Sequence, residues 1–337
     1  MGDPVSLWII GIILLIVKLL VALVVLLLLA AYLIWAERRL LGFLQIRLGP
    51  NRAGWQGLLQ PIADAVKLLT KEDLIPTGAD RYIFLYAPVV VAATAILIFA
   101  VVPFAQGWTF RGQPIPGVVV DLNVGLLYVY ALSSLAVYSV ALGGWASNSK
   151  YSLLGAIRGA AQMISYELAL GLSLVPIVML ARSFSLVDIV NAQARCPFIV
   201  FQPLAFIIFF MSSLAEMKRI PFDIPEAEHE LIAGYHMEYS GMRFGLYFLG
   251  EYVTMVTLGA LVAVFFLGGW RGPFLPPLLW FLIKVAIIAF VIIWIRGTLG
   301  RLRYDQLMHL GWKLLIPVAL LNIIITGGAM LAFGYKL

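Results

Sequence analysis

The sequence predicts an all-α polytopic membrane protein of about eight transmembrane helices, with an amphipathic interfacial helix and ordered loops on one face. Three observations predict it. Of 337 residues, 63% are hydrophobic and only 12% are charged, whereas a soluble domain runs near half apolar and a quarter charged. Mean hydropathy is +1.00. Apolar stretches of the roughly 20 residues needed to cross about 30 Å of hydrocarbon recur along the whole chain.

These stretches put spans near 7–35, 82–104, 122–143, 158–181, 198–216, 243–268, 277–297 and 311–334. An even count leaves both termini on one side, and the loops decide which. Loops one, three, five and seven, with their flanks, hold sixteen Lys and Arg, among them Arg38, Arg39, Arg47, Arg52, Lys67, Lys71, Arg81, Arg219, Arg301 and Arg303. The opposite loops hold four: Arg111, Arg182, Arg195 and Arg271. The positive-inside rule turns the richer set towards the cytoplasm and both termini outward. The net charge of +6 is therefore mostly an orientation signal, not a nucleic-acid footprint. The first stretch is too long for a signal peptide and is followed by Glu37, Arg38 and Arg39 instead of small residues, so it is expected to remain as helix one. No convincing internal repeat is visible, and residues 1–337 read as one helical membrane domain with cytoplasmic loops at 37–81 and 217–242.

Within the first of those loops, Trp55, Leu58, Leu59, Ile62, Ala65, Val66 and Leu69 follow the i, i+3, i+4, i+7 spacing of an amphipathic helix. Gln56, Gln60, Asp64, Lys67 and Lys71 occupy its other faces. It is too short and too polar to span. Such a helix rests on lipid headgroups or forms the floor of a cavity at the membrane surface, and both readings stay open at this point.

The second loop carries the densest chemistry. Glu216 to Gly241 holds six of the chain's seventeen carboxylates: Glu216, Asp223, Glu226, Glu228, Glu230 and Glu238, together with His229, His236, Tyr235 and Tyr239. Pro221 and Pro225 bracket Phe222 and Asp223 and restrict the backbone, which predicts an ordered loop. A short helix started by Pro225 would put Glu226 and Glu230 on one face at i, i+4, where repulsion favours a shared proton or a cationic partner. The plainer alternative is a solvated acidic surface that docks a basic subunit.

Glu167, Glu216 and Glu251 lie inside or at the edge of apolar segments. A carboxylate there costs several kcal/mol unless it faces a bundle interior or water, so such groups mark ion or proton paths. The competing readings are that Glu216 snorkels at a helix end and that Glu251 bonds a neighbouring helix. Lys284, in an apolar run, is a candidate counter-ion or relay partner. Partly buried acids of this kind titrate near neutral pH and are able to take up and release protons.

Other chemistries find no residues to carry them. The single Cys196 permits no internal disulfide, Cys-ligated iron–sulfur cluster or structural zinc, and His229, His236 and His309 all fall in predicted loops, away from facing spans where haem ligands belong. There is no GxGxxG or Walker sequence for a nucleotide. No flavin, haem or iron–sulfur centre is therefore expected in this chain.

The strings AERRLLGFLQIRLGPNRAGWQGLLQPIADAVKLL (36–69), GGWASNSKYSLLGAIRGAAQMISYEL (143–168) and EMKRIPFDIPEAEHELIAGYHMEYSGMRF (216–244) resemble the H-subunit family of proton-pumping NADH–quinone oxidoreductase, respiratory complex I. PFDIPEAEHE alone is less specific, because membrane subunits of energy-converting hydrogenases share that style of loop; RLGPNRAGWQG and GYHMEYSG favour the quinone-reducing branch. The resemblance implies a translocase subunit in a bacterial-type inner membrane, at the joint between a peripheral electron-transfer arm and a membrane arm. Its partners would be soluble quinone-site subunits on one side and antiporter-like membrane subunits on the other, with a quinone as substrate. It implies a quinone chamber drawing on Glu37, Arg38, Arg39, Arg47, Arg52, Asp64, Phe222, Asp223, Glu226, Glu228 and Glu230. It further implies a proton path through Glu167, Glu216, Glu251, Glu238 and Lys284. His229 departs from the family, where Gln is usual, and Met237 stands where a small polar or aliphatic residue is common. A hydrogenase-type membrane anchor and a stand-alone cation or proton transporter are the rival functions.

Overall fold

A computed structural model describes residues 4–110 and 113–332. Its elements in order are α1 (Pro4–Leu44), α2 (Gln60–Thr70), α3 (Arg81–Phe99), strands β1 (Trp108–Phe110) and β2 (Gln113–Ile115), α4 (Gly125–Ala146), α5 (Lys150–Ala181), α6 (Leu186–Ala192), α7 (Phe198–Phe201), α8 (Pro203–Glu216), α9 (Glu228–Leu231), α10 (Gly241–Phe266), α11 (Pro277–Thr298), α12 (Tyr304–His309) and α13 (Ile316–Ala332). A π-helical stretch, Leu310–Leu315, joins the last two into one continuous rod. Among the described residues the only strands form a three-residue antiparallel hairpin between α3 and α4, with Trp108 opposite Ile115. The chain is thus a helical polytopic membrane protein.

Among the described residues seven helices are long and apolar enough to cross a membrane: α1, α3, α4, α5, α10, α11 and the α12–α13 rod. The expected eighth span, 198–216, is broken. Gln202 leaves helical geometry at φ −130°, ψ 54°, because Pro203 crowds the α conformation of the residue before it. What remains, α8, has 14 residues, roughly 21 Å at 1.5 Å per residue.

Two other boundaries moved for a physical reason. Helix α1 continues through Glu37, Arg38 and Arg39 to Leu44, past the expected end at 35, so residues 37–44 belong to the helix and not to the loop. Helix α5 begins at Lys150 instead of 158. With 41 and 32 residues these helices reach about 60 Å and about 48 Å, longer than the hydrocarbon core demands. One end of each projects, and segment 217–240 packs against the projecting turns.

Helix α10 forms the centre, with almost its whole C-terminal half buried, and touches α1, α3, α8 and α11. Helix α5 packs on α4, α8 and α13. Helix α1, by contrast, shows Leu20, Val21, Val24 and Leu28 on its outside. That is the surface a lipid-facing helix presents.

Candidate functional site

Where the end of α8 meets α1, α10 and α11, four charges meet inside the protein. Arg219, only 3% exposed, donates from Nη1 to Glu37 Oε2 at 2.7 Å and from Nε to Glu251 Oε1 at 2.8 Å. Arg296 from α11 bonds the other oxygen of Glu37, and the Tyr252 ring lies 4.7 Å below the Arg219 guanidinium. Two acids and two bases cancel. Each carboxylate would be costly alone at this depth, and a bidentate, stacked guanidinium is the side chain suited to hold both. Burial works against the Arg219 charge, but Glu251 and Glu37 outweigh it and hold the guanidinium more firmly protonated than usual.

The neighbouring residue begins a second cluster. Lys218, in a left-handed conformation at φ 57°, donates to Tyr235 Oη at 2.6 Å and lies 4.3 Å over that ring. Tyr235 Oη donates to Glu226 Oε1 at 3.4 Å, and His236 Nδ1 stands 3.9 Å from the same oxygen. Burial and the negative charge of Glu251 push the Glu226 carboxyl up to about 8, against the pull of Lys218. Burial holds Lys218 below the usual lysine range and brings His236 down to about 4, leaving the imidazole neutral at physiological pH. Glu226 is therefore the group of this cluster placed to hold a proton at neutral pH, beside a tyrosine within hydrogen-bond reach and the lysine bonded to that tyrosine.

Loop 221–240 is seated by close backbone approach. A Cβ added at Gly155 of α5 would lie 2.8 Å from Gly234 Cα and 2.8 Å from the Pro225 carbonyl oxygen, so glycine is what lets the loop touch the helix. Gln162, fully buried, donates to the carbonyls of Ala215 at 2.7 Å and Phe222 at 2.8 Å. Phe222 is buried against Tyr166, with ring centroids 5.5 Å apart. Asp223 accepts from Arg301 Nη2 at 2.6 Å, while burial raises its carboxyl above the ordinary aspartate range. The expected shared face of Glu226 and Glu230 does not form. The helix is only Glu228–Leu231; Glu226 precedes it and points into the Tyr235 cluster, whereas Glu230 is exposed and pairs with Arg158 at 2.6 Å.

Deeper in the bundle, Ser134 donates to Glu167 Oε1, and the Glu167 charge lies near enough to act on Glu216. Glu216, with Tyr130, Ser133, Ser213, Thr254 and Thr257, lines a cavity of about 50 Å³. The hydroxyls of Tyr130, Ser213 and Thr257 are buried without a hydrogen-bond partner in the protein. Thr254 sits one turn along α10 from Glu251, so the cavity and the arginine cluster share a helix face.

Helix α2 is tied across the end of α1. Arg38 Nη1 pairs with Asp64 Oδ2 at 2.7 Å, and Gln60 bonds the other oxygen at 3.0 Å. Arg39 holds the Gln56 carbonyl at 2.8 Å between the rings of Trp35 and Phe43. Leu68 turns inward towards Gly245. Trp55, Leu59, Ile62, Val66 and Leu69, most of the expected apolar stripe, face outward and are more than half exposed.

Residues 17–327 match the family described as NADH dehydrogenase. The chain belongs to the NADH dehydrogenase family. It is 68% identical to NADH-quinone oxidoreductase H-subunit 2 of Syntrophobacter fumaroxidans over 97% of this chain and 99% of that one. It is 65% identical to H-subunit 2 of the same enzyme from Geobacter sulfurreducens over 90% and 92%, respectively. Against the H-subunit from Syntrophotalea carbinolica the identity is 59% over 94% and 96%.

In this NADH dehydrogenase family chain the sequence-expected residues divide by place. Glu37 and Glu251 meet on Arg219, Glu226 lies in the Lys218–Tyr235 cluster beside them, Asp223 pairs with Arg301, and Phe222 is buried. Glu167 and Glu216 form the inner pair. Arg47 and Arg52 are exposed on the segment between α1 and α2, Arg47 bonded to Gln45 at 2.6 Å. Glu238 is half-buried outside these ion pairs, His229 is exposed, and the side chain of Glu228 lies outside the described residues, as does Arg111. Lys284 is not beside the acids. Its Nζ donates to the carbonyls of Leu267, Gly269 and Arg271 at 2.6, 2.9 and 2.7 Å, capping the far end of α10. Among the described residues no group of three His, Cys, Asp or Glu is placed to hold a metal ion.

Arg219, Arg296, Lys218, Tyr235 and Tyr130 were missed as site residues. Arg219 entered the sequence reading only as an orientation charge. The signal that would have found it is neutralisation: buried Glu37 and Glu251 each require a cation, and Lys218 and Arg219 are the bases that follow the truncated span directly.

Proposed function

We propose that this chain is the membrane subunit of an NADH–quinone oxidoreductase that forms much of the quinone chamber and couples quinone reduction to proton translocation. The relatives' names give the enzyme. The observation that carries the coupling role is the pair of adjoining clusters at consecutive residues: a closed charge network on Arg219 and a protonatable network on Lys218, Tyr235 and Glu226. Quinone reduction consumes protons and changes charge at the chamber. A change of that kind redistributes the proton among Glu226 and its partners and loosens or tightens the loop seated on Gly155.

Helix α2, with its outward apolar stripe, forms the chamber's membrane-surface wall. Arg38, Arg39, Arg47 and Arg52 lie at its entrance, and Asp64, Phe222, Asp223, Glu226, Glu228 and Glu230 line the way inward. From Glu251 the proton path continues through Thr254 and the small cavity to Glu216 and Glu167, where one or two waters are enough to bridge the unpartnered hydroxyls. Glu238 stands at the loop end of this path. Lys284 is left out of it. Quinone is the substrate, and flavin and iron–sulfur chemistry belong to partner subunits. Those partners are soluble quinone-site subunits on the α2 face and antiporter-like subunits within the membrane. The chain acts as one membrane domain in a bacterial inner membrane, with the 217–242 loop cytoplasmic and both termini outside.

A photoreactive quinone analogue added to the intact complex tests the chamber. Labelled peptides from 37–71 and 216–241, competed away by excess quinone, are expected. Competable labelling confined to other segments of this chain would refute the assignment.

A further inference from the structure

At the opposite end of the bundle from the acidic loop, the α6–α7 connection faces the α10–α11 turn across a cavity of about 470 Å³. Its lining includes Arg195, Arg271, Asn191, Gln193, Trp270 and Leu267 and, among the described residues, contains no carboxylate. Two of the four basic residues that the sequence assigns to this face therefore converge on one concavity. From this convergence and the rigidity of its walls we propose that the cavity binds a phosphate group, with Arg195 and Arg271 as its guanidinium donors.

The walls are built to stay open. Gln193 is buried and bonds both sides: Nε2 to the Val264 carbonyl at 2.7 Å, and Oε1 to the amides of Gly268 at 2.9 Å and Phe198 at 3.2 Å. Gly268 and Gly269 take positive φ angles of 74° and 54°, and a Cβ at Gly269 would lie 2.7 Å from Val190. Lys284, an ammonium in the apolar first half of α11, directs its three bonds to carbonyls of this same turn, including that of Arg271. It fixes the turn and adds a third positive charge behind it. Arg271 Nη2 is oriented by Asn191 Oδ1 at 3.0 Å, which leaves its remaining N–H groups for a ligand. Asp188, the acid nearest in sequence on α6, is engaged by Ser183 at 2.8 Å and does not line the cavity.

Planar guanidinium forks recognise phosphate oxygens in pairs, and a site held in shape before binding loses little entropy on occupation. The volume falls within the range of small-molecule sites. Trp270, Leu267 and Pro277 supply an apolar flank beside the charges, so the phosphate is either that of a lipid headgroup or a free ion.

The test uses the intact complex, washed with neutral detergent. Radiolabelled phosphatidylglycerol in mixed micelles is titrated into it, with phosphatidylcholine micelles and inorganic phosphate as competitors. A saturable site is expected that weakens about tenfold or more in Arg195→Gln/Arg271→Gln, the equivalent of losing one charge-assisted hydrogen bond. Arg195→Lys/Arg271→Lys, which keeps the charges, should retain part of the affinity and serves as the reading if the first variant fails to assemble. Competition by millimolar inorganic phosphate assigns the site to the free ion; its absence assigns it to the lipid. Unaltered binding in the Gln variant, or in the Lys variant binding no tighter than background, would overturn the proposal.

Discussion

Arg219 and Glu37 stand 182 positions apart and bond at 2.7 Å, and that pairing explains why a run of charges could lie within α1 without ending it. Only 3% of Arg219 and 2% of the Glu37 side chain are exposed. Replacing Arg219 by Leu leaves Glu37 and Glu251 short of a cation in a dry site, which costs about 3–5 kcal/mol. Thermal denaturation of the assembled complex should show this loss, and Arg219→Leu/Glu37→Leu should recover part of it; additive losses would show that the pair is not coupled. At Glu226 the pH dependence has a definite sign. Its carboxyl is raised from 4.5 to about 8, so the folded state prefers the protonated form. The resulting stabilisation is complete below about 4.5 and is lost as pH rises through about 8. Infrared titration should therefore show a protonated carboxyl band that disappears near pH 8 and is missing in Glu226→Gln. A band already gone at pH 6 would contradict it. His229 was legible as a departure from the family and is exposed in the structure, whereas the role of Arg219 was hidden because sequence shows a charge but not its depth.

At the scale of elements, α2 and the spans were readable from periodicity and apolar length, and the breaks were not. Pro203 was visible, yet the apolar run through 198–216 concealed the kink it forces at Gln202. The charged run at 37–39 signalled a helix end because its neutralising partners, Asp64 of α2, Arg219 just after α8 and Arg296 of α11, are distant in sequence, and no local pattern reveals them. The seat of loop 221–240 was hidden for the same reason: Gly155 and Gly234 meet only after folding. Gly155→Ala forces a methyl group against backbone and should cost about 1–3 kcal/mol. It should also raise protease cleavage within 225–240 and lower quinone reductase activity. Gly171→Ala, whose nearest neighbour is the Tyr130 ring at 3.8 Å, should do neither. Equal behaviour of the two variants would argue against a tightly seated loop.

For the whole molecule, the number of crossings decides topology. Seven long helices alone would put the termini on opposite sides. In the proposed topology helices α7 and α8 return the chain from the Arg182 end to the acidic loop as an eighth crossing, which would put the termini together. Cys196, the single cysteine, lies at the end away from the loop. A membrane-impermeant thiol reagent should label it from outside, and should label Cys196→Ser/Glu230→Cys only in inside-out vesicles. The reverse pattern would invert the orientation. The composition made the membrane class legible and the charge asymmetry supplied the proposed orientation, but the nearness of loop, cavity and inner carboxylates depended on tertiary contacts. Glu216, at the end of α8 and lining the small cavity, is where the proposed path passes from loop to membrane interior. The most direct test is to reconstitute the complex carrying Glu216→Gln in liposomes and measure quinone reduction and proton pumping together. Pumping should fall severalfold with the quinone reductase rate following it; full retention of both would contradict a coupling path through this carboxylate.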